Sequence, residues 1–508
     1  MQQHRAFKWL MRYRNGVVLL LIVCMWLLYG FSSVLPLPPQ SVHQWRQADC
    51  LSMADCYYEE GMNFFEPRLH HQFRSEGLAV GELPILAYAT AVGYHVVGKK
   101  PWVYRSIVLL CWLLGLLALF KAFELLLDDV FWAAWLALLM NTSPVLLFYA
   151  NNFLSDVPAL SFAFVGLYLL ARYRHKPQQK WLWWMSAAFA MAMLLKVTAA
   201  ITVLSVLGLW FFELVLPIRF GKGRRLFQQR WQALLPMLSA LALAACWYFW
   251  AAAFNNSHGL LYFSNWTYPV WTLEPERIDR VWHMVHEYWW RYYFKPVTLE
   301  ASFVLLLLVL ALFRKQNAFF PGMALLTVLG VGGFVMLQFD TLHDHDYYTI
   351  NLMILVLWGF AAFLALLGER YPKVFKSLLF KGVLLIFLIA NMTHASRRFH
   401  SRYDGNNYAN RLPALEALAP KLESLGVAAD HKVIVIPDDS PNITLQILNR
   451  KGWTRYGTGS EDRIREWMED GAQWLIVHDS LPDHYTHFEP FMVNGIHTKE
   501  GPIIYPLE

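Results

Sequence analysis

The chain has 508 residues, of which 57% are hydrophobic, 16% aromatic and 16% charged. Its formal net charge is +6 at pH 7, but lysine and arginine occur in short clusters between long apolar runs. Such clusters are typical of the cytoplasmic loops of membrane proteins. The composition therefore indicates a multi-pass membrane protein, and we expect no nucleic acid among its partners.

Apolar runs recur along the first 400 residues, and about eleven of them predict membrane-spanning helices. The predicted spans are residues 16–35, 103–123, 131–150, 157–172, 181–198, 200–217, 232–254, 300–313, 318–337, 350–367 and 377–394. The predicted fold is thus an all-α polytopic membrane protein, with its basic N-terminus in the cytoplasm.

The distribution of basic residues supports this order of spans. With a cytoplasmic N-terminus, the basic segments 172–180, 219–230, 314–315 and 370–376 all lie in the cytoplasm. The segment 82–98 is apolar enough to be a further span, but counting it would place segment 172–180 outside. We therefore interpret 82–98 as an interfacial or re-entrant helix.

The composition turns polar near the end of the last span. Alternating apolar residues predict strands at 432–436 and 474–477, and a helix is predicted at 461–470. We therefore predict two domains. A transmembrane domain covers residues 1–395 and has a large external loop at 36–102, and a small external α/β domain covers residues 396–508.

Charged residues gather on the predicted external face. The first external loop contains HQWRQAD, residues 43–49, in which Arg46 and Asp49 are either part of a site or a solvated surface pair. Four other parts of the chain bring polar groups to the same face. They are Glu82, Asp156, Lys196 and the run of residues 343–346.

These motifs, taken together, resemble a known family. HQWRQAD, the ELP at Glu82, FLSDVPAL around Asp156, LLK at Lys196 and HDHDYYTINL near the tenth span are similar to motifs of C-superfamily membrane glycosyltransferases. The resemblance is strongest to the branch of protein O-mannosyltransferases and lipid A aminoarabinose transferases, glycosyltransferase family 39 and relatives. It implies a polyprenyl-phosphate sugar as donor, bound at the outer face, and an essential acid in the first external loop.

Two residues are candidates for the essential acid of the first external loop. In the best-known relatives the essential acid is the first residue of an Asp-Glu pair. This chain lacks the pair and has Asp49 and, six residues later, Asp55. A sugar phosphate has a stable leaving group, so the acceptor hydroxyl mainly needs a base. We predict Asp49 as that base and keep Asp55 as the alternative. Glu82 matches the family's second acidic position, and its alternative role is a partner of a helix dipole.

The departing polyprenyl phosphate carries negative charge, which cations in the site would neutralise. Lys196 matches the phosphate-binding lysine of the resembling families, and the alternative is a lysine that snorkels to the membrane surface. His345, Asp346 and Tyr347 are predicted to hydrogen-bond the donor, although the His-Asp run also allows a divalent metal. Asp156 either lines the site or caps a helix. His43, Arg46 and Arg291 are further predicted substrate-binding residues.

The predicted activity is glycosyl transfer by single, inverting displacement from a polyprenyl-phosphate sugar to a lipid, glycan or protein acceptor. We expect it at the outer face of a bacterial cytoplasmic membrane, in cell-envelope glycan synthesis, without a metal or other cofactor. The alternative is a transporter or flippase of lipid-linked sugars, because charged groups in membranes also mark transport paths.

Overall fold

The computed structural model describes residues 13–215, 226–227, 230–260, 262–263, 267–313, 317–404, 412–456 and 460–507. The basic segments at 1–12, 219–225 and 314–315, to which we assigned a cytoplasmic location, lie outside the described residues. The chain divides into two compact units. The first comprises Met1–Leu35, Arg105–Trp247 and Trp266–Ser401, and the second Pro36–Tyr104, Tyr248–Asn265 and Arg402–Glu508.

Helices dominate the part of the chain before residue 402. The α-helices are Arg14–Leu28, Phe31–Val34, Gln44–Glu60, Ile85–Val97, Pro101–Leu127, Val130–Met140, Pro144–Ala150, Asp156–His175, Gln179–Leu195, Ala200–Val215, Arg230–Ser257, Pro275–His283, Trp290–Tyr293, Pro296–Ala311, Phe319–Leu337, Ile354–Arg370, Pro372–Phe375 and Leu378–Ser401. Shorter turns of 3-10 helix are Val197–Ala199, Val270–Thr272, Asp340–Leu342 and Asp346–Met353, and Met284–Trp289 is a π-helix.

Six helices in the described part of the chain are long and apolar enough to cross a membrane, which agrees with the prediction of a multi-pass membrane protein. Two bent pairs raise the count to eight if each pair is one span. The predicted count of about eleven is not confirmed. One reason is that apolar runs break: run 131–150 bends by 75° between two short helices, and run 16–35 is interrupted at Gly30, whose φ is 72°.

The helix Ile85–Val97 corresponds to the segment that we interpreted as interfacial or re-entrant. It has 13 residues. At 1.5 Å per residue it is about 20 Å long, which is shorter than the roughly 30 Å hydrocarbon core of a bilayer. A full span over this segment is therefore not supported, and its place relative to the membrane stays a prediction.

The second unit is built around a five-stranded mixed sheet. Its strands are β1 (Lys432–Ile436), β2 (Gly452–Thr454), β3 (Ala472–Val477), β4 (Ile496–His497) and β5 (Ile503–Pro506), in the order β2-β1-β3-β5-β4. β1 pairs in parallel with β2 and β3, whereas β5 is antiparallel to β3 and β4. The strands predicted at 432–436 and 474–477 are thus found as β1 and β3.

The sheet is covered by helices on both faces because residues of β1 point alternately to either side. Val433 and Val435 pack with the helices Pro413–Leu418 and Ile443–Leu448, while Ile434 and Ile436 pack with Trp467 of the helix Glu461–Glu469. Three 3-10 helices complete the unit, at Ala419–Lys421, Glu423–Leu425 and Asp483–Phe491.

A segment from the first predicted loop extends this sheet at its β2 edge. His71 forms a parallel bridge with Gly452, and the backbone of Gln72 donates to the carbonyl of Gly452 at 2.8 Å. Gly452 has a φ of 150°, and a Cβ there would lie 1.7 Å from the carbonyl oxygen of Val433. Residues 36–104 and 402–508 therefore belong to one compact unit, and the division predicted at residue 395 stays a prediction.

Candidate functional site

Asp49 lies on the buried face of the helix Gln44–Glu60 and is completely inaccessible. Its Oδ2 accepts a hydrogen bond of 2.6 Å from the hydroxyl of Tyr262, and its Oδ1 accepts one of 2.8 Å from the amide of Asn442. The guanidinium of Arg46 is 3.9 Å from Oδ2. The carboxyl group is thus held by three partners from three parts of the second unit.

Burial raises the pKa of the Asp49 carboxyl group above its usual value. Arg46, Tyr262 and Asn442 each lower it and so offset part of the increase. A carboxylate with a raised pKa is a stronger base than one in water. The pKa of Tyr262 is also raised, by burial and by the neighbouring Asp49, so its hydroxyl stays protonated and can donate.

Asp55 lies on the same helix but has different partners. Its Oδ2 is 3.3 Å from the ammonium of Lys99 and accepts a hydrogen bond of 3.3 Å from Gln446. Among the described residues, its buried Oδ1 has no hydrogen-bond partner. Burial raises the pKa of Asp55 to about 6, against the lowering effect of Lys99 and Gln446. The two acids therefore belong to separate clusters.

Arg46 links Asp49 to Glu82, the third predicted acid. The guanidinium of Arg46 donates to Glu82 Oε2 at 2.6 Å and lies over the ring of Phe263, 4.9 Å from its centroid. Glu82 precedes the helix Ile85–Val97 by three residues. It is therefore an ion-pair partner of Arg46, and the interpretation as a partner of that helix dipole is not supported.

His43 stands at the N-terminus of the helix that carries Asp49. Its backbone is left-handed, with a φ of 54°, which is uncommon for a residue other than glycine. The indole of Trp45 donates to His43 Nδ1 at 3.4 Å. His43 thus occupies the N-cap position of the helix, and its predicted role in substrate binding stays a prediction.

An aromatic cavity of about 200 Å³ opens next to Tyr262. Its walls are formed by His71, Phe73, Arg74, Gly259, Leu260, Tyr262, Trp453, Tyr456, Arg463 and Trp467. In the part of the chain that the structure describes, His71 Nε2 is buried without a hydrogen-bond partner. Burial lowers the pKa of His71 to about 3, so the ring is neutral at pH 7. The cavity therefore combines flat aromatic faces with polar groups.

Sequence reasoning missed Asn442, Tyr262 and the cavity residues of the sheet. Asn442 is 393 residues away from Asp49 along the chain, and no spacing rule connects them. One available signal was its position, because Asn442 lies in the loop after β1, and loops at the carboxyl ends of parallel strands commonly form binding sites.

A second cluster lies within the first unit. The ammonium of Lys196 is 3.4 Å from Asp156 Oδ1, and the two side chains are only 6% and 2% exposed. It also lies over the rings of Tyr347 and Tyr348, at 5.2 and 4.8 Å from their centroids. The alternative of a lysine snorkelling to the surface is therefore wrong, because its charge is buried against a carboxylate and two aromatic faces.

Asp156 is the first residue of the helix Asp156–His175, and Ser155 occupies the N-cap position. The capping role that we considered for Asp156 is therefore not what the structure shows, since its carboxylate faces Lys196. Nearby, Tyr149 donates to Asp346 Oδ1 at 2.6 Å. The ring of His345 contacts those of Tyr347 and Tyr348, with centroids 5.5 and 5.4 Å apart. Five predicted residues thus share one cluster: Asp156, Lys196, His345, Asp346 and Tyr347.

The His-Asp-His-Asp run does not converge on one point. His343 pairs with Asp344, at 2.5 Å, whereas Asp346 accepts from Tyr149. Among the described residues, no group of three or more His, Cys, Asp and Glu side chains could hold a metal ion. A reaction without metal or other cofactor stays a prediction.

Arg291 does not join this cluster. Its side chain donates to the backbone carbonyl of Glu287, one turn earlier, and its own carbonyl is 2.8 Å from Nε2 of His394. The prediction that Arg291 binds substrate gains no support from these contacts.

Residues 82–250 match the family model described as dolichyl-phosphate-mannose-protein mannosyltransferase. This range contains Glu82, Asp156 and Lys196. Among solved structures, ArnT from Cupriavidus metallidurans in the apo state has a TM-score of 0.64 at 12% identity, over 96% of this chain and 97% of ArnT. The same protein bound to undecaprenyl phosphate has a TM-score of 0.61 at 13% identity, with the same coverage.

Two further structures are more distant. AglB, the oligosaccharyltransferase of Archaeoglobus fulgidus, in complex with an inhibitory peptide and a dolichol-phosphate, has a TM-score of 0.56 at 12% identity, over 92% of this chain and 70% of AglB. The arabinofuranosyltransferase AftD from Mycobacteria has a TM-score of 0.55 at 13% identity, over 98% of this chain and 40% of AftD. A comparison with curated protein sequences finds no significant match. The family model and the shared fold confirm the resemblance predicted from the motifs.

Proposed function

We propose that this chain is a membrane glycosyltransferase of the C superfamily and that it transfers a sugar from a polyprenyl phosphate to an acceptor hydroxyl by one inverting displacement. The observation that carries the proposal is the Asp49 carboxyl group, fully buried and bonded to Tyr262 beside the aromatic cavity. The undecaprenyl phosphate bound to ArnT and the dolichol-phosphate bound to AglB support the class of donor.

The proposed chemistry needs one base. The acceptor oxygen loses its proton and attacks the anomeric carbon, the bond from that carbon to the phosphate oxygen breaks, and polyprenyl phosphate departs with the electron pair. Asp49 does not line the cavity, whereas Tyr262 does. We assign Tyr262 the role of a relay: it takes the acceptor proton while its own proton passes to Asp49, 2.6 Å away.

The aromatic cavity is the proposed binding place for a sugar ring. Flat aromatic faces such as those of Trp453 and Tyr456 stack on the apolar faces of sugars, and His71 Nε2 and the guanidinium of Arg463 can bind hydroxyl groups. A volume of about 200 Å³ suits one monosaccharide better than a longer glycan.

Lys196 is proposed to neutralise the phosphate of the donor, as preorganised cations stabilise a developing anion. Asp156 and the two tyrosines hold its ammonium in one place. His345, Asp346 and Tyr347 are proposed to bind the same donor, because they belong to this cluster. Arg46, paired with Glu82, keeps the charge near Asp49 balanced.

The location is part of the proposal. We propose that transfer takes place at the outer face of a bacterial cytoplasmic membrane, with residues 396–508 external, and that the acceptor is a lipid, a glycan or a protein. We also propose that transfer needs no metal or other cofactor, so added chelator is expected to leave its rate unchanged.

The test is transfer of radiolabelled sugar from a panel of polyprenyl-phosphate donors by purified wild type, Asp49→Asn, Asp55→Asn and Tyr262→Phe. Loss of general base catalysis typically costs about 10²- to 10⁴-fold, so Asp49→Asn is expected to lose that much of kcat. Tyr262→Phe is expected to lose as much, because Asp49 reaches the acceptor proton only through the Tyr262 hydroxyl. Asp55→Asn is the matched control.

Two results would overturn the proposal. If Asp55→Asn is inactive while Asp49→Asn, folded and expressed normally, retains activity, then the base is Asp55. If the wild type consumes no donor but moves labelled lipid between leaflets, the protein is a transporter.

A further inference from the structure

A basic cavity of about 540 Å³ lies in the first unit, and none of its lining residues is one to which we have assigned a catalytic role. It is lined by Lys295, Ala390, Thr393, His394, Arg397 and Arg398. Lys295 precedes the helix Pro296–Ala311, and the other five residues lie between residues 390 and 398 of the helix Leu378–Ser401. Three permanent cations and a histidine therefore surround one space.

No acid of the described residues forms an ion pair with the three cations of this cavity. In the ranges that the structure describes, none of Lys295, Arg397 and Arg398 forms an ion pair, whereas Lys196 is paired with Asp156. Arg398 lies 5.6 Å from the ring centroid of Tyr292, and His394 contacts a backbone carbonyl. Unpaired cations around a cavity are the arrangement that binds a phosphate group.

An apolar groove runs along the same two helices and the helix Ile354–Arg370. It has a volume of about 460 Å³ and is lined by Val297, Glu300, Ala301, Val304, Leu305, Phe360, Phe363, Leu364, Phe380, Leu384 and Phe387. Phe387 lies one helical turn before Ala390, and Val297 lies two residues after Lys295, so groove and cavity adjoin on both helices. A basic end and an apolar stem match the two parts of a lipid.

We propose that this groove and cavity form a binding site for a phosphate-bearing membrane lipid, with the phosphate among Lys295, Arg397 and Arg398 and one hydrocarbon chain along Leu384 and Phe387. Charge complementarity selects the headgroup, and the apolar groove receives one hydrocarbon chain. The assignment does not depend on the proposed transfer reaction.

Glu300 is the one carboxylate among the described residues that line the groove. It lies five residues after Lys295 on the same helical stretch, about 7.5 Å along the axis at 1.5 Å per residue. A negative charge so close opposes a bound phosphate. Glu300→Gln is therefore expected to tighten binding of the lipid about twofold to threefold, opposite in sign to the loss of a cation.

The experiment is equilibrium binding of radiolabelled dioleoyl phosphatidic acid to the purified full chain in neutral detergent. Inorganic phosphate and dioleoylglycerol serve as competitors, because each carries only one part of the lipid. The wild type is expected to bind saturably, near one lipid per chain. Arg397→Gln/Arg398→Gln and, separately, Lys295→Gln are expected to weaken binding, the double variant at least tenfold.

Two further variants separate the parts of the site. Ala301→Trp fills the groove and is expected to weaken binding of phosphatidic acid while leaving that of inorganic phosphate unchanged. Lys376→Gln removes an exposed cation just before the helix Leu378–Ser401, at its other end, and is the matched control. Thermal unfolding of each variant reports whether it is folded.

The proposal is overturned if the variants with fewer cations bind phosphatidic acid as the wild type does, or if Lys376→Gln weakens binding equally. If dioleoylglycerol competes as strongly as unlabelled phosphatidic acid does, the cations do not select a phosphate headgroup and the groove only contacts bulk lipid. If inorganic phosphate competes as strongly as unlabelled phosphatidic acid does, the groove holds no hydrocarbon chain and the lipid assignment fails.

Discussion

Asp49 and Asp55 lie on one helix but differ in the groups that surround each carboxyl group and shift its pKa. Asp49 has two hydrogen-bond donors and a nearby guanidinium, and all three favour its charged form. Asp55 has one ammonium and one amide at 3.3 Å, and within the described ranges its other carboxylate oxygen has no hydrogen-bond partner. The donor that separates them is Tyr262, which links Asp49 alone to a cavity.

Asp55 is expected to make the protein less stable as the pH rises. Its folded pKa of about 6 lies above its usual 3.8, so the folded state binds its proton more tightly than the unfolded state. The stability from this group is present below pH 3.8 and is lost as the pH rises through 6. At 1.36 kcal/mol per pKa unit, the loss is about 3 kcal/mol.

The measurement is thermal unfolding in detergent between pH 4 and 8, comparing wild type with Asp55→Asn. The buried His70 and His71 titrate with the opposite sign, since their pKa values are lowered to about 3, but they are present in both proteins. The midpoint of the wild type should fall relative to that of the variant between pH 4 and 7. Asp462→Asn, an exposed acid, is the control, and equal pH profiles would contradict the prediction.

Lys196 and Asp156 are expected to depend on each other. Removing one partner of a buried ion pair leaves an uncompensated charge and costs about 3 to 5 kcal/mol. Lys196→Met should therefore lower the unfolding midpoint strongly, and the double variant Lys196→Met/Asp156→Asn should recover most of the loss. Lys176 is an exposed lysine, so Lys176→Met is the control for the effect of replacing a lysine that has no buried ion pair. Additive effects in this double-mutant cycle would mean that the pair is not formed.

At the scale of elements, the helix Gln44–Glu60 is positioned by the short helix Ile443–Leu448, which packs against it. Asn442, just before the short helix, donates to Asp49, and its own oxygen accepts from the backbone of His71 at 2.9 Å. Gln446, one turn later, donates to Asp55, and Asn449 donates to Glu59 at 3.1 Å. One row of amides thus faces one row of carboxylates.

Asn442→Ala is expected to reduce kcat about tenfold, which corresponds to about 1.4 kcal/mol, while KM changes little. Asn442 acts through Asp49 as a positioning residue, and its hydrogen bond lowers the pKa of that acid. Its loss should therefore shift the acidic limb of the pH-rate profile upward. Gln446→Ala, which loses the equivalent bond to Asp55, should leave both kcat and the profile unchanged.

A different result has a clear meaning. If Asn442→Ala and Gln446→Ala shift neither kcat nor the pH profile but both lower thermal stability, the amide row serves folding alone. A loss of about 1 to 3 kcal/mol of stability is expected from either variant, because each leaves a buried acceptor without its donor.

At the scale of the whole molecule, the second unit is assembled from three separate stretches of the chain. Residues 70–72 pair with the edge of the sheet, and the indole of Trp453 donates to the carbonyl of Phe73 at 3.2 Å. The helix Gln44–Glu60 is held by side chains from residues 442–451. These contacts join the proposed base to the C-terminal strands.

We expect the helix Gln44–Glu60 and the strands β1 and β3 to exchange their amide protons together in denaturant, as one cooperative unit. The measurement is hydrogen exchange of the full chain, followed by mass spectrometry at increasing denaturant concentration. Peptides from the helix Ile354–Arg370, in the other unit, are the internal reference. If β1 and β3 lose protection while Gln44–Glu60 keeps it, residues 396–508 are instead an independent domain, as hydropathy predicted.

The sequence by itself determined the class of the protein, because long apolar runs and clustered cations are local properties of a chain in a membrane. It also determined β1, β3 and the family resemblance, since period-two patterns and short motifs are local as well. Only the tertiary structure decided which polar groups meet. Asn442 and Tyr262 reach Asp49 from 393 and 213 residues away, and Lys196 meets Asp156 from another helix. Hydropathy predicts that a segment is buried or spans a membrane, but a hydrogen bond needs two atoms within about 3 Å, and that distance depends on how the whole chain packs.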